Sequence, residues 1–203
     1  FTMYATDSSG NVRQNSTLIT VTDTTPPTIP STSNNNTNAK INDVVQFGIN
    51  CTDGIAIGSV YFANNRSGTF INSSSINGLS QQSVNFTANL TNNRTRGEVI
   101  GGIFTCNDTS SNTIQSSFIT YTVANTVPNG TNFVNTTGKH YSTNVSINWT
   151  PSTNPDNDVL RYVVYWDLDI TPTSLYYNGS DLNISTNWTE DNTYFYQIKV
   201  MDE

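Results

Sequence analysis

Charged residues are scarce in this chain. Of its 203 residues only 11% are Asp, Glu, Lys or Arg, with 8 basic against 15 acidic residues and a formal net charge of −7. An ordinary soluble domain carries about 25% charged residues. Binding to a phosphate backbone requires clustered Lys and Arg, so the composition excludes nucleic acid as a partner. Something other than charge must keep the surface of this protein in water.

Residues that carry chemistry are equally few. The chain has one histidine, His140, and two cysteines. They form neither a nucleophile–base constellation nor a transition-metal site, and the scattered acids give no glycosidase-like pair. We therefore expect no enzyme and no cofactor.

The stretch NPDND at 154–158 is the one oxygen-rich segment. Alternate side chains, Asn154, Asp156 and Asp158, are a weak candidate for Ca²⁺, with Asp167 and Asp169 as further ligands. Asn, Pro and Asp are also ordinary turn formers, and the stretch lacks a full ligand set. We therefore expect a turn here and no metal.

Long apolar runs and helical periodicity are absent too. No run approaches the ~20 residues of a transmembrane helix, and no signal peptide opens the chain. We expect a mature product or, in preference, a slice of a longer chain, without a membrane span. Short alternating segments separated by Asn, Gly, Ser and Pro predict antiparallel β-sandwiches, and 10 Tyr, 9 Phe and 3 Trp supply their cores.

Asparagine, by contrast, is abundant. Sixteen Asn-x-Ser/Thr acceptors occur, where the 30 Asn and 54 Ser plus Thr would give roughly 8 by chance. N-glycosylation requires export, so the excess predicts an extracellular protein with a sugar coat. The acceptors are Asn15, Asn35, Asn50, Asn65, Asn72, Asn85, Asn89, Asn93, Asn107, Asn129, Asn135, Asn144, Asn148, Asn178, Asn183 and Asn187.

Eight of these acceptors are predicted on the outer face of strands. Phe47, Ile49 and Cys51 alternate inward, for example, so Asn50 faces out. A random scatter would have placed some acceptors in phase with the core residues. We therefore expect sugar on most of the eight, which are Asn50, Asn85, Asn89, Asn107, Asn144, Asn148, Asn183 and Asn187.

The chain also repeats itself. Thr6–Pro26 aligns with Asn107–Pro128 at an offset of 101 to 102 residues, so Asp7 matches Asp108. A third copy of the incoming strand is YFYQIKVMDE, in which Asp202 takes the place of Asp7. A period near ~100 residues is typical of one sandwich domain.

On these motifs the chain resembles tandem immunoglobulin-like and fibronectin type III-like modules of prokaryotic, especially archaeal, surface glycoproteins. The resemblance implies an all-β fold of tandem sandwiches in three parts. Residues 1–25 would be strands F and G of a partial module, 28–126 a complete immunoglobulin-like sandwich, and 129–203 a fibronectin type III-like sandwich without its last strand. Proline-containing junctions at Asp23–Pro30 and Ala124–Thr131 would separate them.

The same resemblance implies a disulfide between Cys51 and Cys106, in the places of strands B and F. Two free thiols are the alternative. In the last module Trp149 takes the place of Cys51, and Tyr194 resembles the corner tyrosine that leads strand F. Phe104, two residues before the second cysteine, departs from the antibody-type pattern.

We therefore expect a segment or subunit of a glycosylated extracellular filament, sheath or surface layer. Its partners would be copies of itself or flanking modules, head to tail, with each partial module completed by flanking sequence or by a donor strand at Ser16–Asp23. The alternative is an adhesin or receptor stalk whose loops bind carbohydrate or protein, for which Tyr176 and Tyr177 are the candidate contacts.

Overall fold

The computed structural model describes residues 1–134 and 143–202, and in these ranges the protein is all-β, as predicted. Asn135 and His140 lie outside the described residues. The strands are β1 Thr2–Thr6, β2 Val12–Ser16, β3 Thr28–Asn34, β4 Val44–Asn64, β5 Ile71–Thr91, β6 Val99–Asp108, β7 Thr113–Gln115, β8 Ile119–Thr122, β9 Asn144–Asn148, β10 Leu160–Asp167, β11 Ser174–Gly179, β12 Asn183–Asn187 and β13 Phe195–Asp202.

The chain divides into two compact units. The first unit comprises Phe1–Asn34, Phe47–Ala88 and Gly102–Ile119, and the second comprises Asn35–Gln46, Asn89–Gly101 and Thr120–Glu203. Strands β4, β5 and β6 each contribute residues to both units. The predicted module boundaries, at 25/28 and 126/129, stay predictions.

The first unit begins with a hairpin. Strands β1 and β2 pair antiparallel from Thr2 opposite Ser16 to Thr6 opposite Val12. Asp7 holds the turn by accepting hydrogen bonds from the backbone of Ser9 and Asn11, each at 2.9 Å. The expected second strand at Ser16–Asp23 is different in the structure, because β2 ends at Ser16 and residues 17–27 form no strand.

A six-stranded sheet has the order β3-β4-β6-β7, with β5 paired to β4 and β8 to β6. Strand β3 begins at Thr28, inside the predicted linker. Pro30 is tolerated there because β3 lies at the sheet edge and its ladder passes from Thr28 opposite Thr52 to Ser31 opposite Asn50, skipping the proline. The 21-residue strand β4 contains both Cys51 and the apolar stretch at 60–63 that follows it.

Phenylalanine and cystine fill the core of the first unit. Phe47, Phe62 and Phe104 are each 0% exposed, and their rings lie 5.1 and 4.8 Å apart in that order. Cys51 and Cys106 form the disulfide implied by the resemblance, with their Cα atoms 6.4 Å apart. The cross-link joins β4 to β6 within this buried layer.

The second unit contains two further sheets, β11-β10-β13 and β12-β9. Their shared core is Ile147, Trp149, Tyr162, Val164 and Ile184. Just before β13, the hydroxyl oxygen of Tyr194 accepts a hydrogen bond from the Thr189 backbone N–H at 3.2 Å. A tyrosine that bonds back to the chain before strand F is the corner motif of sandwich domains.

Candidate glycosylation faces and loop carboxylates

The acceptor asparagines lie at the surface. Fifteen of the sixteen fall within the described residues; eleven of these are exposed, four are half-buried and none is buried. Two other asparagines are buried, Asn64 at 1% and Asn92 at 0% exposure, and neither is an acceptor. Both of the buried asparagines among the described residues thus fall outside the set of acceptors.

The two buried asparagines, Asn64 and Asn92, form hydrogen bonds that hold turns. Each immediately precedes an acceptor, in the tetrapeptides NNRS and NNRT. Asn64 accepts a hydrogen bond from the Arg66 backbone at 3.1 Å and donates one to Ser73 Oγ at 2.8 Å. These bonds fix the end of β4 and leave its neighbour Asn65 half-buried.

The second tetrapeptide repeats this arrangement. Asn92 accepts from the Arg94 backbone at 3.1 Å and donates to the Lys40 carbonyl at 2.9 Å. The next residue, Asn93, is exposed. In both turns the inner asparagine accepts a backbone hydrogen bond, and the outer one is less buried than its neighbour: Asn65 is half-buried and Asn93 is exposed.

The eight acceptors predicted on strands do lie in strands β4, β5, β6, β9 and β12. The most regular group is on β9 and β12, where Asn144 pairs with Asn187 and Asn148 pairs with Asn183. Ser146 and Ser185 sit between these pairs with their hydroxyl oxygens 2.6 Å apart. The outer face of this two-stranded sheet thus consists of four acceptors and two serines.

A second acceptor face lies across β4 and β5. Asn50 donates a side-chain hydrogen bond to Asn85 Oδ1 at 2.8 Å, and Gln46 donates one to Asn89 Oδ1 at 3.3 Å. An N-linked asparagine keeps one N–H, so sugar on Asn50 is chemically compatible with its bond to Asn85. Whether any acceptor carries sugar stays a prediction.

The calcium candidate at 154–158 forms a turn between β9 and β10. Asn154 Oδ1 accepts the Asp156 backbone N–H at 3.0 Å, as the turn interpretation requires. Asp156 is 4% exposed and accepts a hydrogen bond from the Thr126 backbone, whereas Asp158 faces Arg96 at 3.5 Å. The three candidate residues thus have different partners and do not form a ligand set by themselves.

The suggestion that Asp167 assists this segment is wrong. The 154–158 turn precedes β10 and Asp167 ends it, and the seven strand steps from Leu160 to Asp167 span about 23 Å. Asp167 Oδ2 instead lies 3.5 and 3.2 Å from the hydroxyls of Thr173 and Ser174, which donate to it.

The structure brings together three carboxylates that sequence reasoning missed. Asp23, Asp53 and Asp108 each place one oxygen within 4.8 Å of the others. They stand far apart in sequence and belong to no common motif. The aligned segments of the repeat contain Asp23 and Asp108, and they were the only sequence signal that touched this cluster.

Tyr176 and Tyr177 pack inward rather than forming an exposed aromatic surface. Both are half-buried in the edge strand β11. The Tyr177 ring lies 6.0 Å from Trp149, and that of Tyr176 lies 6.0 Å from Trp188. The Tyr177 hydroxyl accepts the Asp181 backbone N–H at 2.8 Å. Packing against the core is therefore sufficient to explain why positions 176 and 177 are aromatic.

Comparison with known proteins leaves the fold as the main finding. No protein-family model and no curated protein matches this chain. Within residues 1–134 and 143–202 no helix has the length and apolarity to cross a membrane.

Two solved structures are similar in outline. The fibronectin(III)-like modules of CbhA from Clostridium thermocellum share 12% identity at a TM-score of 0.33, covering 84% of this chain and 91% of theirs. Dimeric latent PorU from Porphyromonas gingivalis shares 15% identity at a TM-score of 0.38, and the match covers 96% of this chain and 20% of the PorU chain. Scores this low carry no argument of their own. The strand topology defines an all-β protein with immunoglobulin-like and fibronectin III-like architecture.

Proposed function

We propose that this chain is a structural segment or subunit of a densely N-glycosylated extracellular filament, sheath or surface layer. The observation that carries the proposal is the placement of the acceptors. None of the fifteen described ones is buried, and four share the outer face of β9 and β12. A face of this kind is suited to a continuous sugar coat.

The low charge of the chain supports this function. Neutral glycans would keep the surface hydrated where few ionised side chains do so, and they do not titrate with pH or weaken in salt. They would also hinder lateral pairing of sheet edges such as β11, which is bonded on one side only within its sheet.

The disulfide supports an exported location. Cystines persist in oxidising compartments and are rare in the cytosol. The cross-link between Cys51 and Cys106 is therefore in keeping with an extracellular protein. The proposal assigns the chain no catalytic activity.

Head-to-tail assembly is the proposed mode of association. The β1–β2 hairpin and the segment after it expose apolar side chains, among them Leu18 at 89% and Val21 at 90%. Exposed apolar side chains of this kind are suited to burial against another module, either a copy of this chain or a flanking one. Such a contact joins different surfaces of the two partners, so it propagates linearly.

An adhesin or receptor stalk is the rival function. It requires exposed aromatic or polar loop residues that recognise sugar or protein, and its candidates Tyr176 and Tyr177 are packed on the core of the second unit. We therefore do not adopt it. Binding on a glycan array by the isolated protein would reverse this choice.

Site mapping tests the coat. The chain is secreted from a host that performs N-glycosylation, and acceptor occupancy is read by mass spectrometry after enzymatic glycan removal. We expect sugar on Asn144 and Asn183, and none on the buried Asn64 and Asn92. Bare asparagines across the β9–β12 face would overturn the proposal.

A matched pair of variants makes the mapping specific. Ser146→Ala destroys the acceptor at Asn144, whereas Ser146→Thr keeps it at the same exposed site. Only the alanine variant should lose one glycan mass. Electron microscopy of the glycosylated chain then tests assembly, and we expect linear filaments; monodisperse particles at all concentrations would contradict the assembly claim.

A further inference from the structure

The cluster of Asp23, Asp53 and Asp108 unites three parts of the first unit. Asp23 precedes β3, Asp53 lies within β4 and Asp108 ends β6. One carboxylate oxygen of each lies within 4.8 Å of the other two. The two ion pairs found among the described residues, Arg94–Glu98 and Arg96–Asp158, belong to the second unit.

Local hydrogen bonds hold all three carboxylates. Asp108 accepts at both oxygens, from the Ser110 and Asn112 backbones and the Asn112 side chain, whereas the half-buried Asp23 keeps one oxygen without a partner. Asp53 Oδ1 accepts from the backbones of Ile55 and Ala56, at 2.8 and 2.9 Å. Asp23 Oδ1 accepts from the Thr25 backbone at 3.0 Å, whereas Asp23 Oδ2 is buried and has no hydrogen-bond partner. A buried, unpaired carboxylate oxygen is costly, so a positive ligand at this point would be stabilising.

The second unit repeats the design. The alignment that pairs Pro26 with Pro128 also pairs Asp23 with Asn125 and Thr24 with Thr126. Asp202 stands in the place of Asp108. Trp149 takes the place of Cys51, and the turn that follows it contains Asp156, seven residues after Trp149, whereas Asp53 follows Cys51 by two residues.

The repeated position again contains buried oxygen atoms without partners. Asp156 is 4% exposed, and its Oδ1 has no hydrogen-bond partner. Asn125 Oδ1 and Thr126 Oγ1 are likewise buried and unpartnered. Asn125 donates to Asp202 Oδ2 at 3.0 Å, and Thr126 N–H donates to Asp156 Oδ2. These contacts bring the carboxylates of Asp156 and Asp202 to the same segment.

We propose that the Asp23/Asp53/Asp108 cluster is a Ca²⁺ site, and that Asp156 and Asp202, which both contact the segment at 125–126, form a second one with Asn125. Their side chains offer carboxylate and amide oxygens with no His or Cys, a donor set that selects hard cations. Ca²⁺ accepts the irregular arrangement and completes its six to eight ligands with carbonyls and water, whereas Mg²⁺ demands near-ideal octahedral geometry. Extracellular modules bind Ca²⁺ with Kd values of about 0.1–1 mM.

The expected consequence is fixation of the segments at 23–27 and 125–128. Each cluster ties a segment next to a predicted module junction to the strand elements that supply the carboxylates. Bound Ca²⁺ would thus restrict these proline-containing stretches, in addition to the restriction that proline imposes. The inference does not depend on the sugar coat, because no acceptor asparagine belongs to either cluster.

Calorimetric titration of the 203-residue chain with CaCl₂, in unglycosylated and disulfide-bonded form, tests the proposal. We expect two equivalents with Kd values of about 0.1–1 mM. Asp53→Asn, which keeps the oxygen that accepts from Ile55 and Ala56, should weaken one site about tenfold or more, and Asp156→Asn should weaken the other.

Asp7→Asn is the matched control. Asp7 accepts the same pattern of bonds from Ser9 and Asn11 that Asp108 accepts from Ser110 and Asn112, but it belongs to an exposed turn. This variant should leave both sites intact. The wild-type titration decides the question even if a variant fails to fold: absence of saturable binding up to 10-fold above the expected Kd, or equal binding of MgCl₂, overturns the proposal.

Discussion

The two units stabilise their cores by different means. In the first, Phe47, Phe62 and Phe104 are completely buried beside the Cys51–Cys106 cross-link. In the second, the ring of Trp149 is 3% exposed and no cysteine is present. A cystine restricts the unfolded chain, whereas a tryptophan buries about 150–250 Å² of its own. One lightly hydrophobic sequence thus uses both covalent and apolar stabilisation.

The aromatic surroundings extend this difference. Around Trp149 the second unit gathers half-buried rings, including Trp188, whose centroid lies 4.3 Å from that of Tyr194 and 5.0 Å from that of Trp166. All three tryptophans of the chain lie in this unit. Tryptophan emission therefore reports on the second unit alone and allows the two cores to be followed separately.

Removal of the cross-link should have the largest effect. The double variant Cys51→Ala/Cys106→Ala removes a cross-link between residues that are 55 positions apart. In the chain-entropy model this loss costs about 4 kcal/mol of unfolding free energy. Urea unfolding followed by far-ultraviolet circular dichroism should show an early transition that tryptophan emission does not share. Coincident transitions in both signals would contradict the separation of the cores, and reduction of the wild type should reproduce the variant.

Truncation of Trp149, in the core of the second unit, should be detected by tryptophan emission. Trp149→Ala should cost about 3 kcal/mol, at the low end for such truncations. The low value follows because the indole N–H is buried without a hydrogen-bond partner, so its removal also relieves a desolvation penalty. Trp149→Phe keeps much of the packing and should cost about 1 kcal/mol. The emission of Trp166 and Trp188 measures the stability of both variants. Equal losses of unfolding free energy in Trp149→Ala and Trp149→Phe would refute this account.

A small overpacking change tests the tightness of the first core. A Cβ added at Gly102 would overlap Phe62 Cε2 and would lie 2.7 Å from the Ala63 carbonyl oxygen. Gly102→Ala should therefore destabilise by about 1–3 kcal/mol. Gly54→Ala is the control, since a Cβ there meets nothing within 4 Å. A stability of the Gly102 variant equal to that of the control, measured by urea unfolding, would show that the core can expand.

Sequence alternation predicted much of this structure. The inward phase of Ile49 and Cys51 and the outward phase of Asn50 follow from the two-residue strand period alone. The corner tyrosine at 194 also has a local signature. What could not be predicted depends on distant residues: the approach of Asp23 to Asp53 and Asp108 requires three separate segments to be placed. Likewise, the 21-residue length of β4 could not be predicted, because the strand changes its partner from β3 to β6 along its length.

The smallest expected effect concerns the turn at Asp108, which follows β6, compared with the exposed turn at Asp7 that has the same hydrogen bonds. Burial is the largest influence on Asp108 and raises its pKa, but hydrogen bonds from the Asn112 side chain, then from the backbones of Asn112 and Ser110, outweigh it, so the pKa lies below the ordinary 3.8. In the exposed turn, the Asn11 side chain is the main cause that lowers the pKa of Asp7.

Alanine at these two asparagines should separate the turns. Asn112→Ala leaves the burial of Asp108, so its pKa should rise above that of Asp7 in Asn11→Ala. A depressed pKa contributes stability above the unfolded value of 3.8 that is lost as the pH falls through the folded pKa. The Asn112 variant should therefore lose that contribution at neutral pH and show a flatter fall in stability as the pH is lowered below 3.8. Carboxyl carbon NMR titration measures both pKa values, and equal values in the two variants would mean that burial does not distinguish the turns.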